Sequence, residues 1–182
     1  MPNKHLNYWR KNYPKALYSN LYGPTEITAV CTYYIVNRAF KDDESLPIGK
    51  ACKNTQVLII SENGKPVING EIGELCVRGT CLAYGYYNDS ETTNLAFVQN
   101  PLHSLYPDLV YKTGDLVYKN ALDEIIFVGR KDSQIKHIGN RIEPGEIETA
   151  ILGIEGVSNA CVIYDDLKKQ IVAFFIANKK GL

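Results

Sequence analysis

No two of the five cysteines, Cys31, Cys52, Cys76, Cys81 and Cys161, stand as C-x-x-C, and their number is odd. That pattern excludes a disulfide framework and predicts free thiols in a reducing compartment. The three histidines, His5, His103 and His137, are isolated from the cysteines, so a zinc-type cluster is not expected. Net charge is also lacking: 20 Lys and Arg balance 20 Asp and Glu. Such balance gives no general attraction to nucleic acid or to an acidic membrane. No apolar run approaches spanning length, and the N-terminus lacks a signal-peptide core. Internal repeats and low-complexity tracts are missing too. The expectation is a cytoplasmic protein with no nucleic-acid or membrane partner.

What is present is ordinary for a globular chain. The 182 residues are 45% apolar and 22% charged, enough for one medium domain or two small ones. Lys4 to Asn12 reads as the end of a helix stopped by Pro14. Leu17 to Leu21 and Thr28 to Val36 read as strands separated by the turn Tyr22-Gly23-Pro24-Thr25-Glu26. From Gln56 the text is β-like, with Asn63-Gly64 as a hairpin turn, a strand over Glu74 to Arg78, and Leu116–Lys119 paired with Glu124–Val128. A short helix over Asp89 to Phe97 is expected to start from Asp89 or Ser90 as cap. Many short strands predict a barrel or sandwich.

After Gly129 the character changes. Ser133 to Ile138 reads as a short strand, Gly139-Asn140 as a turn, and Pro144 as the first residue of a helix. Glu143, Glu146 and Glu148 suit the positive end of that helix. Ile147, Ala150, Ile151 and Ile154 fall at helical spacing and predict one buried face. Strands over Ala160–Tyr164 and Gln170–Ala177 complete a small α+β unit. The fold class expected is α+β: a β-rich barrel-like subdomain over 1–131, then a small α+β domain over 132–182. The basic hairpin tip, Lys136, His137 and Arg141, reads either as a solvated surface or as a loop that meets phosphate or carboxylate.

Three short motifs suggest nucleotide chemistry. Tyr22-Gly23-Pro24-Thr25-Glu26 offers a flat ring, a hydroxyl and a hard carboxylate oxygen, the last suited to Mg²⁺ that also holds phosphate. Thr113-Gly114-Asp115 places a carboxylate after a glycine turn, where it can accept ribose hydroxyls. Gly129-Arg130 adds a guanidinium just before the composition shift. Each alone is also an ordinary turn. Glu74 and Arg78 are expected to pair on the barrel surface, and Tyr84, Tyr86 and Tyr87 to serve as barrel packing.

In order and spacing, these motifs resemble the adenylate-forming ligases. Within that family they are most similar to the amino-acid adenylation domains of non-ribosomal peptide synthetases and the D-alanine carrier-protein ligases. The carrying segments are Asn20 to Glu26, Gly73-Glu74-Leu75-Cys76-Val77-Arg78-Gly79 with Gly85-Tyr86, Tyr111 to Leu116, and Gly129-Arg130-x-Asp132-x-Gln134-x-Lys136, continuing to Glu148.

The resemblance implies a C-terminal fragment of an enzyme that uses ATP and Mg²⁺ to make an aminoacyl adenylate. The acyl group then passes to the phosphopantetheine thiol of an acyl or peptidyl carrier protein. It implies that Asn20 meets the adenine amino group, Tyr22 its face, Thr25 the α-phosphate and Glu26 the Mg²⁺, with Thr25 and Glu26 catalytic and Gly23 part of the nucleotide turn. Asp115 takes the ribose hydroxyls with Arg130 nearby. Asp132 is the hinge. Gly139 meets the pantetheine arm, with Arg141 beside it, and Leu21, Ala29 and Val30 line the amino-acid pocket. The family's phosphate loop and catalytic lysine lie outside these residues, so the fragment alone is expected to be inactive. Alternatives are an acyl- or aryl-CoA ligase fragment and a non-catalytic nucleotide-binding or carrier-docking module.

Overall fold

The computed structural model describes residues 3–42, 44–132, 134–137, 140–165 and 167–177, except for the side chains of Lys136 and Arg141. Two compact units divide the chain at 131/132. Both mix helix with antiparallel strands, and the larger sheet curls into a half-barrel, so the fold is α+β.

Unit 1 opens with helix α1 (Asn3–Asn12). Leu6 packs with Val36 and Phe40, and the Asn3 amide donates to the carbonyls of Lys41 and Glu44. Strands β1 (Ser19–Tyr22), β2 (Thr32–Ile35) and β3 (Lys50–Ala51) form a small antiparallel sheet in that order. The expected strand from Thr28 is shorter than read. Thr28 and Ala29 both have positive φ, 57° and 80°, which breaks strand geometry; the ladder begins at Thr32, after a 3₁₀ turn over Thr25–Ile27.

The larger sheet holds β4 (Thr55–Ile60), β5 (Gly73–Gly79), β6 (Phe97–Gln99), β7 (Leu109–Lys119) and β8 (Ile125–Arg130). Its order is β4-β5-β7-β6, with β8 also on β7. Along the far edge of β7, β6 takes the first half and β8 the second. Alternation along β5 sends Leu75 and Val77 to one face, and Glu74 and Cys76 to the other. The first face carries the core: Ile27, Cys31, Val77, Phe97 and Tyr111 cluster together, as do Ile48, Ile59, Leu75, Val117 and Ile125. Fully burying one such side chain contributes roughly 1.5–3 kcal/mol. The second face holds a smaller cluster of Ile60, Cys76 and Val110.

One register detail departs from the sequence reading. Thr113-Gly114-Asp115 is not a turn between two strands but a bulge inside β7. Cys76 pairs with Lys112 and Glu74 with Leu116, so three residues of β7 face one of β5. Gly114 takes φ +70° there.

Helix α2 (Ser90–Ala96) starts as expected: the Asp89 side chain accepts from the Thr92 amide at 2.9 Å. Among the described residues no helix is long and apolar enough to cross a membrane.

Unit 2 contains the hairpin β9 (Ile135–His137) and β10 (Asn140–Ile142), helix α3 (Pro144–Leu152), and the hairpin β11 (Val157–Asp165) and β12 (Gln170–Ala177). Helix α3 begins at Pro144 as read, but its apolar face is not buried. Ile147 and Ile151 are half-buried, Ala150 is exposed, and Ile154 lies beyond the helix and is exposed. Among the described residues β11 is the element that packs closely against α3, so that face is covered in part. Glu148 does more than serve the helix dipole: its carboxylate accepts from the Val162 amide at 2.7 Å and ties α3 to β11.

Candidate functional site

Strand β1 delivers Tyr22 into the curl of the large sheet, where its hydroxyl donates to Asp115 Oδ2. Asp115 Oδ1 accepts from Arg130 Nη1 at 2.9 Å, and the same guanidinium nitrogen donates to the Thr113 carbonyl at 2.7 Å. Arg130 is set there by the β7–β8 register, which pairs it directly with Asp115. Asp115 is 1% exposed, and burial together with its charge pushes the Tyr22 phenol far above its ordinary value. Thr113 Oγ1 donates to the Leu75 carbonyl and accepts from the Asp115 amide, fixing the bulge from below. Three residues expected at a nucleotide site thus converge, Tyr22 and Asp115 from 93 positions apart and Arg130 from 15 beyond Asp115.

The turn after Tyr22 is forced tight. A Cβ on Gly23 would stand 2.5 Å from the Ala29 carbonyl oxygen and 2.8 Å from the Val30 Cα, both backbone atoms. The Cys31 amide returns to the Tyr22 carbonyl at 2.9 Å and closes the loop. Thr25 lies exposed at the start of the 3₁₀ turn, while Glu26 is buried at 6% exposure. The Tyr86 hydroxyl donates to Glu26 Oε1 at 2.7 Å. Nearby Tyr111 has its phenol pushed up by burial, then by Tyr86 and the Glu26 charge.

The Asn20 side-chain amide donates to the Pro47 carbonyl at 2.8 Å, which leaves its carbonyl oxygen as the end able to accept from an amino group. Leu21 is 60% exposed, Ala29 is exposed and Val30 half-buried. In unit 2, Asp132 is exposed and its carboxylate accepts from the Gln134 amide at 3.2 Å. His137 Nδ1 lies 3.3 Å from the Tyr164 hydroxyl. Gly139 lies outside the described residues. Arg141 pairs with Lys136 in the β9–β10 ladder, but its side chain is outside the description.

Two sequence expectations need correction. Glu74 and Arg78 do not pair with each other. Arg78 instead bonds Asp108, which also accepts from Asn100 at 2.8 Å and lies 2.9 Å from His103 Nε2. Tyr84 and Tyr87 are not barrel packing: both are fully exposed, at 108% and 94%. Tyr86 does pack against the core, as expected, and its hydroxyl also donates to Glu26, a partner 60 residues away that no local pattern in Gly85-Tyr86 signals.

A cleft of about 540 Å³ opens on the Glu74–Cys76 face, walled by Ile60, Val110 and Leu116 with Lys112 and Lys131 at its lip. Alternation along β5 puts it across the sheet from Leu75 and Val77, so it is separate from the Tyr22–Asp115–Arg130 group.

The fold and these motifs are similar to those of adenylate-forming enzymes. A family model described as AMP-binding enzyme matches residues 1–87. Bacitracin synthase 1 of Bacillus licheniformis is 39% identical over 164 residues, covering 88% of this chain and 3% of that protein. Two solved structures share the fold. An NRPS protein containing adenylation and PCP domains, PA1221, superposes with a TM-score of 0.82 at 27% identity, over 98% of this chain and 37% of its own. AlmE of Vibrio cholerae, an adenylation domain solved with glycyl-adenosine-5'-phosphate, gives a TM-score of 0.81 at 31% identity, over 96% of this chain and 34% of its own. The chain is therefore similar, over most of its length, to adenylate-forming enzymes, and among them to the adenylation domains of non-ribosomal peptide synthetases. It spans about a third of the length of the solved relatives and a few per cent of the synthases.

Proposed function

We propose that the chain supplies the nucleotide-binding part of an amino-acid adenylating ligase. The observation that carries this reading is the convergence of Tyr22, Asp115 and Arg130 from three separate motifs. In the reaction, a carboxylate oxygen of the amino acid bonds to the α-phosphorus of ATP, and pyrophosphate leaves with the broken P–O bond. A carrier-protein phosphopantetheine thiol then attacks the acyl carbonyl and AMP departs.

The residues fit ATP on the following terms. Among the described residues Asp115 Oδ2 accepts from Tyr22 and Oδ1 from Arg130, and a carboxylate oxygen has room for two. Because Asp115 is almost wholly buried, ribose reaches it only when the Tyr22 hydroxyl turns aside. Asn20 presents its oxygen to the adenine amino group, and the exposed Thr25 hydroxyl is available to the α-phosphate. Glu26 provides one carboxylate. Mg²⁺ would be held there by that one carboxylate, with phosphates and water completing its oxygen shell. That ion would neutralise phosphate charge. Leu21, Ala29 and Val30 line the amino-acid side.

We assign residues 1–131 to the large domain and 132–182 to the first part of a mobile small domain, with Asp132 as hinge, and Gly139 and Arg141 toward the pantetheine arm. PA1221, with its adenylation and PCP domains, supports a carrier partner, and AlmE with its glycyl adenylate supports an amino-acid substrate. Free thiols and ATP chemistry favour the cytoplasm.

The test is calorimetric titration of AMP into the chain and into Asp115→Ala. Weak binding that is lost in the variant supports the reading, and equal affinity in both removes it. Amino-acid-dependent pyrophosphate exchange is expected to be absent from these 182 residues alone. Exchange stimulated only by acids lacking an amino group, in a longer protein carrying them, would favour a CoA ligase instead.

A further inference from the structure

We propose that Glu74 is a positioning residue that fixes the Thr113-Gly114-Asp115 bulge to Lys131, the last residue of unit 1. The bulge takes Gly114 out of the β5–β7 ladder, so its amide needs another acceptor. Glu74 supplies it from the opposite face of β5: Oε1 accepts from the Gly114 amide at 3.1 Å. Its other oxygen, Oε2, stands 3.6 Å from Lys131 Nζ and 4.0 Å from Lys112 Nζ. Lys131 completes the knot from its own backbone, donating its amide to the Gly114 carbonyl at 2.7 Å. Gly114 is therefore held at both its N–H and its C=O, the one by Glu74 and the other by a residue that Glu74 also holds. Glu74 is 9% exposed and barely solvated, so the carboxylate has few competing water contacts.

The consequence concerns both ends of the unit's chemistry. Asp115 and Arg130 each adjoin one of the tied residues. A shift of Lys131 therefore moves Gly114, and with it the carboxylate proposed to take ribose. This link to nucleotide rests on the function proposed above. The tie itself rests only on the contacts of Glu74 with Gly114 and Lys131.

Residue-resolved amide hydrogen exchange on the 182-residue chain decides it. In Glu74→Ala the Gly114 and Lys131 amides are expected to exchange about tenfold faster or more, while Leu75 and Val110 in the same sheet keep their rates. Glu74→Gln keeps a carbonyl acceptor and is expected to restore the Gly114 amide. Unchanged rates at Gly114 and Lys131 in Glu74→Ala overturn the proposal. So does uniform acceleration across the ladder, which would make Glu74 an ordinary stability residue, and so does failure of Gln to restore Gly114. A second arm adds saturating AMP, expected to slow both amides together in the unaltered chain. No response to AMP there counts against the nucleotide reading, while the ligand-free rates still decide Glu74.

Discussion

Replacing Asp115 by alanine removes a charge partner of a guanidinium whose side chain is only 13% exposed. Breaking a buried pair from one side typically costs about 3–5 kcal/mol, because the remaining charge keeps its desolvation penalty. Arg130 retains its bond to the Thr113 carbonyl, which places the loss near the lower end, about 3 kcal/mol. Tyr22 loses an acceptor as well, about 1 kcal/mol more. A total of about 4 kcal/mol corresponds to a fall in Tm of roughly 10 °C or more for a domain of this size. Asp115→Asn keeps an oxygen for Arg130 and is expected to cost about half as much. Urea titration of Asp115→Ala, Arg130→Met and the double variant measures the coupling directly. The double variant is expected to be more stable than the sum of the singles by about 1–3 kcal/mol. Additivity within about 0.5 kcal/mol, or a loss below about 1 kcal/mol in Asp115→Ala, would refute the reasoning.

Other consequences follow from separate parts of the molecule. The Asn100 amide, then His103 and Arg78, hold the Asp108 carboxyl below its usual range. Its contribution to stability is therefore present above the unfolded value of about 4 and fades as pH falls through the lower folded value, so Asp108→Asn should lower Tm at pH 7 and the gap should close in acid. Gly23→Ala puts a methyl against the Ala29 and Val30 backbone and is expected to cost about 1–3 kcal/mol in chemical denaturation, whereas Gly145→Ala, exposed in α3 with open space around it, should stabilise by about 0.5–1 kcal/mol. Burial pushes the Cys31 and Cys76 thiols up to about 12, so alkylation at neutral pH should mark exposed Cys161 first and reach those two only on unfolding; early labelling of Cys76, read by mass spectrometry, would contradict its burial.

How much of this was legible beforehand depended on the range of the interaction. Local chemistry read well: Asp89 caps α2, Pro144 opens α3, and Asn63-Gly64 turns between Ser61 and Lys65, whose backbones bond at 2.8 Å. The family motifs named Tyr22, Asp115 and Arg130, but not that they bond to one another, because cross-strand partners depend on a register that spacing does not encode. The same limit explains Arg78, which met Asp108 instead of Glu74, and Tyr86, whose partner Glu26 lies 60 residues away. Thr28 and Ala29 look like strand residues by composition; the closure of the Gly23 loop bends them into positive φ. In unit 2 the helical spacing of Ile147, Ala150 and Ile151 was right, but periodicity reports which face is apolar, not whether anything covers it.

The bulge in β7 inserts two residues relative to β5, an even number. Side chains on a strand alternate with period two, so Val110 before the bulge and Leu116 after it both line the cleft, while Tyr111 and Val117 both face the core. Excising Gly114 and Asp115 together would therefore leave every downstream side chain of β7 on its present face. Excising either one alone would leave a one-residue bulge, of the kind the β7–β8 ladder already carries between Leu116 and Val117. The residues that make this sheet a nucleotide-site candidate are thus a paired insert in an otherwise regular ladder, able to be gained or lost without redrawing the hydrophobic core.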